Sequence, residues 1–82
     1  MPTMKTVLFY TKPDCALCQK AERVLDGVQK RVDFKRITVD ITQDDQAFLN
    51  YAIDIPVVLI DGEEHARHAL DEQAFFDALR PS

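Results

Sequence analysis

The stretch Tyr10–Leu25, "YTKPDCALCQKAERVL", decides how the rest of the chain is read. It places Cys15 and Cys18 three residues apart, where a β-branched and aromatic run gives way to a helical pattern. Upstream, "KTVLFYT" (Lys5 to Thr11) has the composition of a buried strand, and Pro13 with Asp14 ends it. Downstream, Leu17, Ala21, Val24, Leu25 and Val28 form one apolar helical stripe, with Lys20, Glu22, Arg23 and Gln29 on the wet side. The cysteine pair thus sits at a strand-to-helix junction, open to three readings. It is a redox centre, half of a zinc or iron–sulfur site completed by a second chain, or a pair of small packing residues.

Working outward, "DFKRITVDI" sets Ile37, Val39 and Ile41 at period two, which marks a second strand. "TQDDQAFLNYAI" returns to helical character, with Thr42 expected as its N-cap and Asp44 and Asp45 in the first turn. "IPVVLI" is a continuous apolar run. Asp61-Gly62 is a hairpin signal, and "EEHARHA" is expected to return as an edge strand. Positions three apart on a strand face opposite ways, so His65 and His68 are expected at the surface, not gathered as ligands. In "DEQAFFDALR", Asp71 caps a last helix, Phe75 and Leu79 face the core, and Arg80 with Pro81 closes it. Tyr10 and Tyr51 are expected to be partly buried.

These elements predict an α/β fold in the order β-α-β-α-β-β-α, a four-stranded mixed sheet flanked by helices, in a single domain over residues 1–82. The 46% hydrophobic content gives such a short chain enough apolar surface to fold alone. Two cysteines this close would close too short a loop to staple the fold, which leaves chemistry or simple packing as their reason. Fourteen acidic against ten basic residues leave a net charge of −4, opposed to the phosphate contacts that dominate nucleic-acid affinity. No apolar run reaches bilayer-spanning length, and "MPTMKTVLFY" lacks the apolar core of a secretory signal. A cytoplasmic monomer that binds neither nucleic acid nor membrane is expected.

Over nearly its whole length the sequence resembles the glutaredoxin branch of the thioredoxin-like superfamily. "FYTKPDCALC" is similar to that family's strand, lysine and C-x-x-C at a helix start, and "IDIPVVLIDG" to its Ile-Pro or Val-Pro loop leading into a hairpin. It is most similar to a small group of glutaredoxin-like proteins with a leucine before the second cysteine. The resemblance implies a cis peptide at Ile55-Pro56. It implies Cys15 as nucleophile, Cys18 as resolving residue, and Lys12, Ile55, Pro56 and Asp71 as substrate-binding residues. Its partners would be a disulfide-bearing protein or small thiol, and a thiol reductant.

No resident cofactor is expected, and glutathione enters only as a possible electron donor. Two departures count against it: Ala16-Leu17 replaces the Pro-Tyr type of pair within the motif, and "RHALDEQ" lacks the family's Gly-Gly step, leaving Asp71 as a partial match. The physical reading of the cysteines runs alongside. At a helix N-terminus, unpaired N–H groups and about half a positive charge can lower a thiol from about 8.5 to between roughly 3.5 and 7.5. Lys12 adds a cation, and Asp14 opposes it.

Overall fold

The computed structural model describes residues 4–80. Its strands are β1 (Thr6–Thr11), β2 (Lys35–Asp40), β3 (Val57–Ile60) and β4 (Glu63–Arg67). Its α-helices are α1 (Ala16–Gln29), α2 (Asp45–Tyr51) and α3 (Glu72–Leu79), and a 3-10 turn at Ile41–Gln43 leads into α2. The strands form one mixed sheet in the order β2-β1-β3-β4, with β1 parallel to β2 and antiparallel to β3, and β3 antiparallel to β4. This is the β-α-β-α-β-β-α order read from the sequence. Among the described residues no helix is long and apolar enough to cross a membrane.

Central β1 explains where the core lies. Alternate residues of a strand face opposite ways, and Val7 and Phe9 are fully buried on the face that carries α1 and α3. α1 contributes Cys18, Ala21, Leu25 and Val28 to that core, the expected stripe with Cys18 in place of Leu17 at its head and Val24 only partly buried. Leu17, expected at its head, is 49% exposed. The change at the head follows from spacing: 18, 21, 25 and 28 keep one helix face toward the sheet, and Leu17 turns out past its edge. α1 and α3 pack together, with the Arg31 guanidinium 4.0 Å above the Phe76 ring.

The opposite face is covered only at one end. Tyr10 is in register with Val39 and Val57, and its ring lies 4.3 Å from that of Tyr51 on α2. At the other end Leu8 is flanked by Ile37 and Leu59, and Ile37, on edge strand β2, is 38% exposed. A helix of seven residues is too short to reach it. Ile41, read from its periodicity as part of this strand, instead opens the 3-10 turn and is buried there.

Thr42 does not cap α2. Its N–H and hydroxyl both donate to the Asp40 carboxylate, at 2.9 and 2.6 Å, which caps the 3-10 turn. Asp44 takes the N-cap in extended conformation and accepts from the Ala47 N–H at 3.0 Å. The extra turn shifts the helix start, so the later of two competing short polar residues wins the cap.

The β3–β4 hairpin turns through Asp61 (φ 50°) and Gly62 (φ 85°), the paired left-handed geometry of a two-residue hairpin loop. Asp61 also ties this turn to the start of β1, accepting from and donating to the Thr6 backbone at 2.9 and 2.8 Å. α3 begins at Asp71, buries Phe75 and Leu79, and ends at Arg80; Pro81 lies outside the described residues. His65 lies against the Phe75 ring, whereas His68, past the end of β4, has its Nε2 3.7 Å from the Asp54 carboxylate. Neither histidine joins the cysteines, and no cluster of three or more His, Cys, Asp or Glu side chains able to hold a metal ion occurs among the described residues.

Candidate functional site

Strand order gathers the candidate residues at one end of the sheet. β1 runs out at Thr11 into the Lys12–Cys15 loop, and its register partner Tyr10↔Val57 brings the residue before β3, Pro56, to the same end. Asp40, opposite Thr11, closes β2 there, and Arg67, opposite Val57, closes β4.

Cys15 is the N-cap of α1, extended at φ −115° and ψ 108°. Its sulfur accepts from the Cys18 N–H at 3.2 Å, so the thiol group occupies the place where a capping oxygen normally meets unpaired helical donors. The two sulfurs are in disulfide contact with Cα atoms 5.2 Å apart, inside the range a disulfide spans. The pair is asymmetric: Cys15 is half-buried, whereas Cys18, one turn in, is only 2% exposed. Asp14 approaches the cap through left-handed backbone at φ 59°, a conformation that aspartate tolerates better than most residues. Lys12 is exposed and lines a groove of about 350 Å³ together with Thr11, Asp14, Cys18, Glu22 and Asp40.

The Ile55–Pro56 peptide is cis and both residues are buried. Backbone bonds hold the loop on both sides: the Ile55 N–H donates to Tyr51 at 3.1 Å, and the His68 N–H reaches the Asp54 and Pro56 carbonyls at 3.1 and 2.8 Å. The Ile55 N–H is therefore already engaged. Just before this loop Ile53 is 88% exposed, and Leu49 on α2 is also largely open.

Sequence reasoning missed the polar brace behind that loop. Arg67 pairs with the Asp54 carboxylate at 3.2 Å and also with Glu64. The Arg67 bond holds the Glu64 carboxyl below its ordinary range, and the same bond raises the guanidinium. Burial raises the Tyr10 phenol, with Tyr51 and Asp44 adding to the effect. Asp54 and Arg67 are thirteen residues apart and carry no motif, so only the fold reveals the pair.

Asp71 is placed apart from this brace by its own task. Its carboxylate accepts from the Ala74 N–H at 2.8 Å as the N-cap of α3. Asp71→Ala should therefore cost about 1 kcal/mol, within the 0.5–2 kcal/mol spread of N-cap losses. Urea unfolding checks this. An unchanged midpoint would show that the cap bond contributes nothing and free Asp71 for a ligand role.

Residues 6–80 match the glutaredoxin-like domain family. A curated relative, the glutaredoxin-like protein YDR286C homolog of Dictyostelium discoideum, is 29% identical over 76 residues, spanning 85% of this chain and 70% of that protein. Among solved structures, protein Ne2328 of Nitrosomonas europaea superposes with a TM-score of 0.81 at 20% identity, over 98% of this chain and 96% of its own. A mutant thioredoxin of Halobacterium salinarum superposes with a TM-score of 0.70 at 20% identity, over 92% and 71% respectively. The structural likenesses place the fold among thioredoxin-like folds.

Proposed function

We propose a thiol-disulfide oxidoreductase as the function of this chain, which belongs to the glutaredoxin-like domain family. The observation that carries the reading is the asymmetry of the cysteine pair: a half-exposed thiol at the N-cap of α1 and an enclosed one in disulfide contact with it. Thiolate is the nucleophile, and helix N-terminal donors favour it at Cys15. The Cys15 thiolate attacks one sulfur of a substrate disulfide and expels the other as thiolate. Cys18 then attacks the Cys15 sulfur of the mixed disulfide, releasing the second substrate thiol and leaving the Cys15–Cys18 disulfide. Two electrons pass to the substrate, and an external thiol reductant returns the pair to its dithiol form.

Substrate binding is assigned to the Ile55 carbonyl and Pro56 beside the cysteines, with the exposed Leu17 and Ile53 as apolar contacts. A disulfide-bearing protein segment suits this surface, pairing its backbone with Ile55 as an added strand would. Lys12 is assigned to a substrate carboxylate. Glutathione is the less favoured donor: the stretch before α3 lacks a Gly-Gly step, and the Asp71 carboxylate is occupied by the helix. A reducing cytoplasm is the compartment in which such a dithiol would cycle.

The test is a redox equilibration in glutathione buffers, with free thiols trapped by alkylation and species read by intact mass. The expected result is a reversible intramolecular disulfide with a midpoint between roughly −270 and −180 mV, among thioredoxin, glutaredoxin and isomerase centres. Thiols that stay free in the most oxidising buffer would end this reading. A persistent glutathione adduct on Cys15 would replace the two-cysteine cycle with a one-cysteine, glutathione-linked one.

A further inference from the structure

Within the proposed cycle Cys18 must lose a proton, and its surroundings resist this. A thiol only 2% exposed is disfavoured in its charged form, yet it attacks only as thiolate. The groove beside α1 is where Cys18 meets the aqueous side; a second groove, around Lys5 and His65, reaches neither cysteine.

Three carboxylates line the Cys18 groove, and their engagements differ. Asp40 is held by the N–H and hydroxyl of Thr42. Asp14 sits in the loop ahead of Cys15, outside α1. Glu22 stands at i+4 from Cys18 on the same helix, the spacing at which helical side chains are neighbours. Among the described residues it forms no ion pair. The charged groups facing it across the groove are Lys12 and Asp14 from the loop after β1 and Asp40 from β2. Lys12 favours the thiolate at Cys18, and the charges of Asp14, Asp40 and Glu22 itself oppose it, so field alone supplies no clear path for the proton.

We propose that Glu22 is the proton acceptor for Cys18 in the resolving step, an inference that rests on the oxidoreductase reading above. The Cys18 S–H bond breaks, its proton passing to the Glu22 carboxylate directly or across groove water. The Cys18 electron pair forms the bond to the Cys15 sulfur, the bond from Cys15 to substrate breaks, and the substrate sulfur leaves with its electron pair to be protonated by solvent. Glu22 returns its proton to the groove. In the reverse direction, protonated Glu22 supplies the proton to Cys18 as it leaves.

Reduced protein mixed with an equimolar chromogenic aryl disulfide releases one coloured thiolate when Cys15 attacks and a second when Cys18 resolves. Stopped-flow absorbance across pH separates the two. Glu22→Gln should slow the second release by about 10²-fold, the low end of what a positioned acid–base group contributes. The first release should keep its rate, and Glu22→Asp should recover part of the second. A second release unchanged in rate and pH profile, or both releases slowed equally, would overturn the role of Glu22. A wild-type protein that gives the first release but never the second would instead overturn the two-cysteine cycle, and one that gives neither would overturn the oxidoreductase reading itself.

Discussion

Cys15→Ser is expected to abolish thiol-disulfide exchange, with a loss on the order of 10³-fold or more, the scale seen when a nucleophile is removed from a catalytic set. The variant is informative because it spares the fold. Serine is among the best N-cap residues, and its hydroxyl can accept from the Cys18 N–H in place of the sulfur that now does so at 3.2 Å. Loss of rate with an unchanged unfolding midpoint therefore isolates the chemistry of the sulfur from its capping. Cys18→Ser should behave differently: Cys15 remains on the exposed side of the pair, so attack proceeds and the reaction stops at a mixed disulfide. Intact mass after mixing with a disulfide-bearing peptide should show a stable adduct on Cys18→Ser and none on Cys15→Ser. The reverse pattern would make Cys18 the nucleophile, against its burial.

The residues that could be read from sequence are those whose role is local. Cys15 caps α1 because the apolar helical stripe begins just after it, and Asp61-Gly62 turns the chain because few other pairs accept two successive left-handed residues. Phe75 and Leu79 face the core because their spacing matches the helical period. What the sequence concealed depends on partners far along the chain. The exposure of Ile37 follows from β2 lying at the sheet edge and from the reach of α2, neither of which the alternation of "KRITVD" encodes. The choice of Asp44 over Thr42 as cap turned on Asp40 claiming the Thr42 N–H first. The Asp54–Arg67 brace and the approach of Asp40 to the Cys18 groove have no periodicity at all, and appear only when β2 and β4 end beside β1 and β3.

Phe75→Ala should be strongly destabilising, at about 3–5 kcal/mol for a large aromatic removed from a core. Domains of this size hold only about 5–15 kcal/mol in total, so the variant should lose a large share of its stability. The structure explains why α3 depends on this ring. A helix of eight residues has little stability of its own, and α3 is held to the sheet by two buried side chains, Phe75 and Leu79. Phe75 also meets Phe34 edge to face, with ring centroids 5.7 Å apart, and forms the apolar wall beside His65. Burial lowers the pKa of that imidazole, so the neutral form is the one that packs. Its contribution is full above the ordinary histidine pKa of about 6.5 and is lost as pH falls toward the depressed folded value. Urea unfolding should show the midpoint of the wild-type protein falling across that acidic window, and Phe75→Ala should lower it at every pH while weakening the His65 dependence. A Phe75→Leu variant, which keeps most of the volume, should lose much less. Equal midpoints for the alanine and wild-type proteins would mean that α3 is held by something other than the Phe75–Phe34 contact.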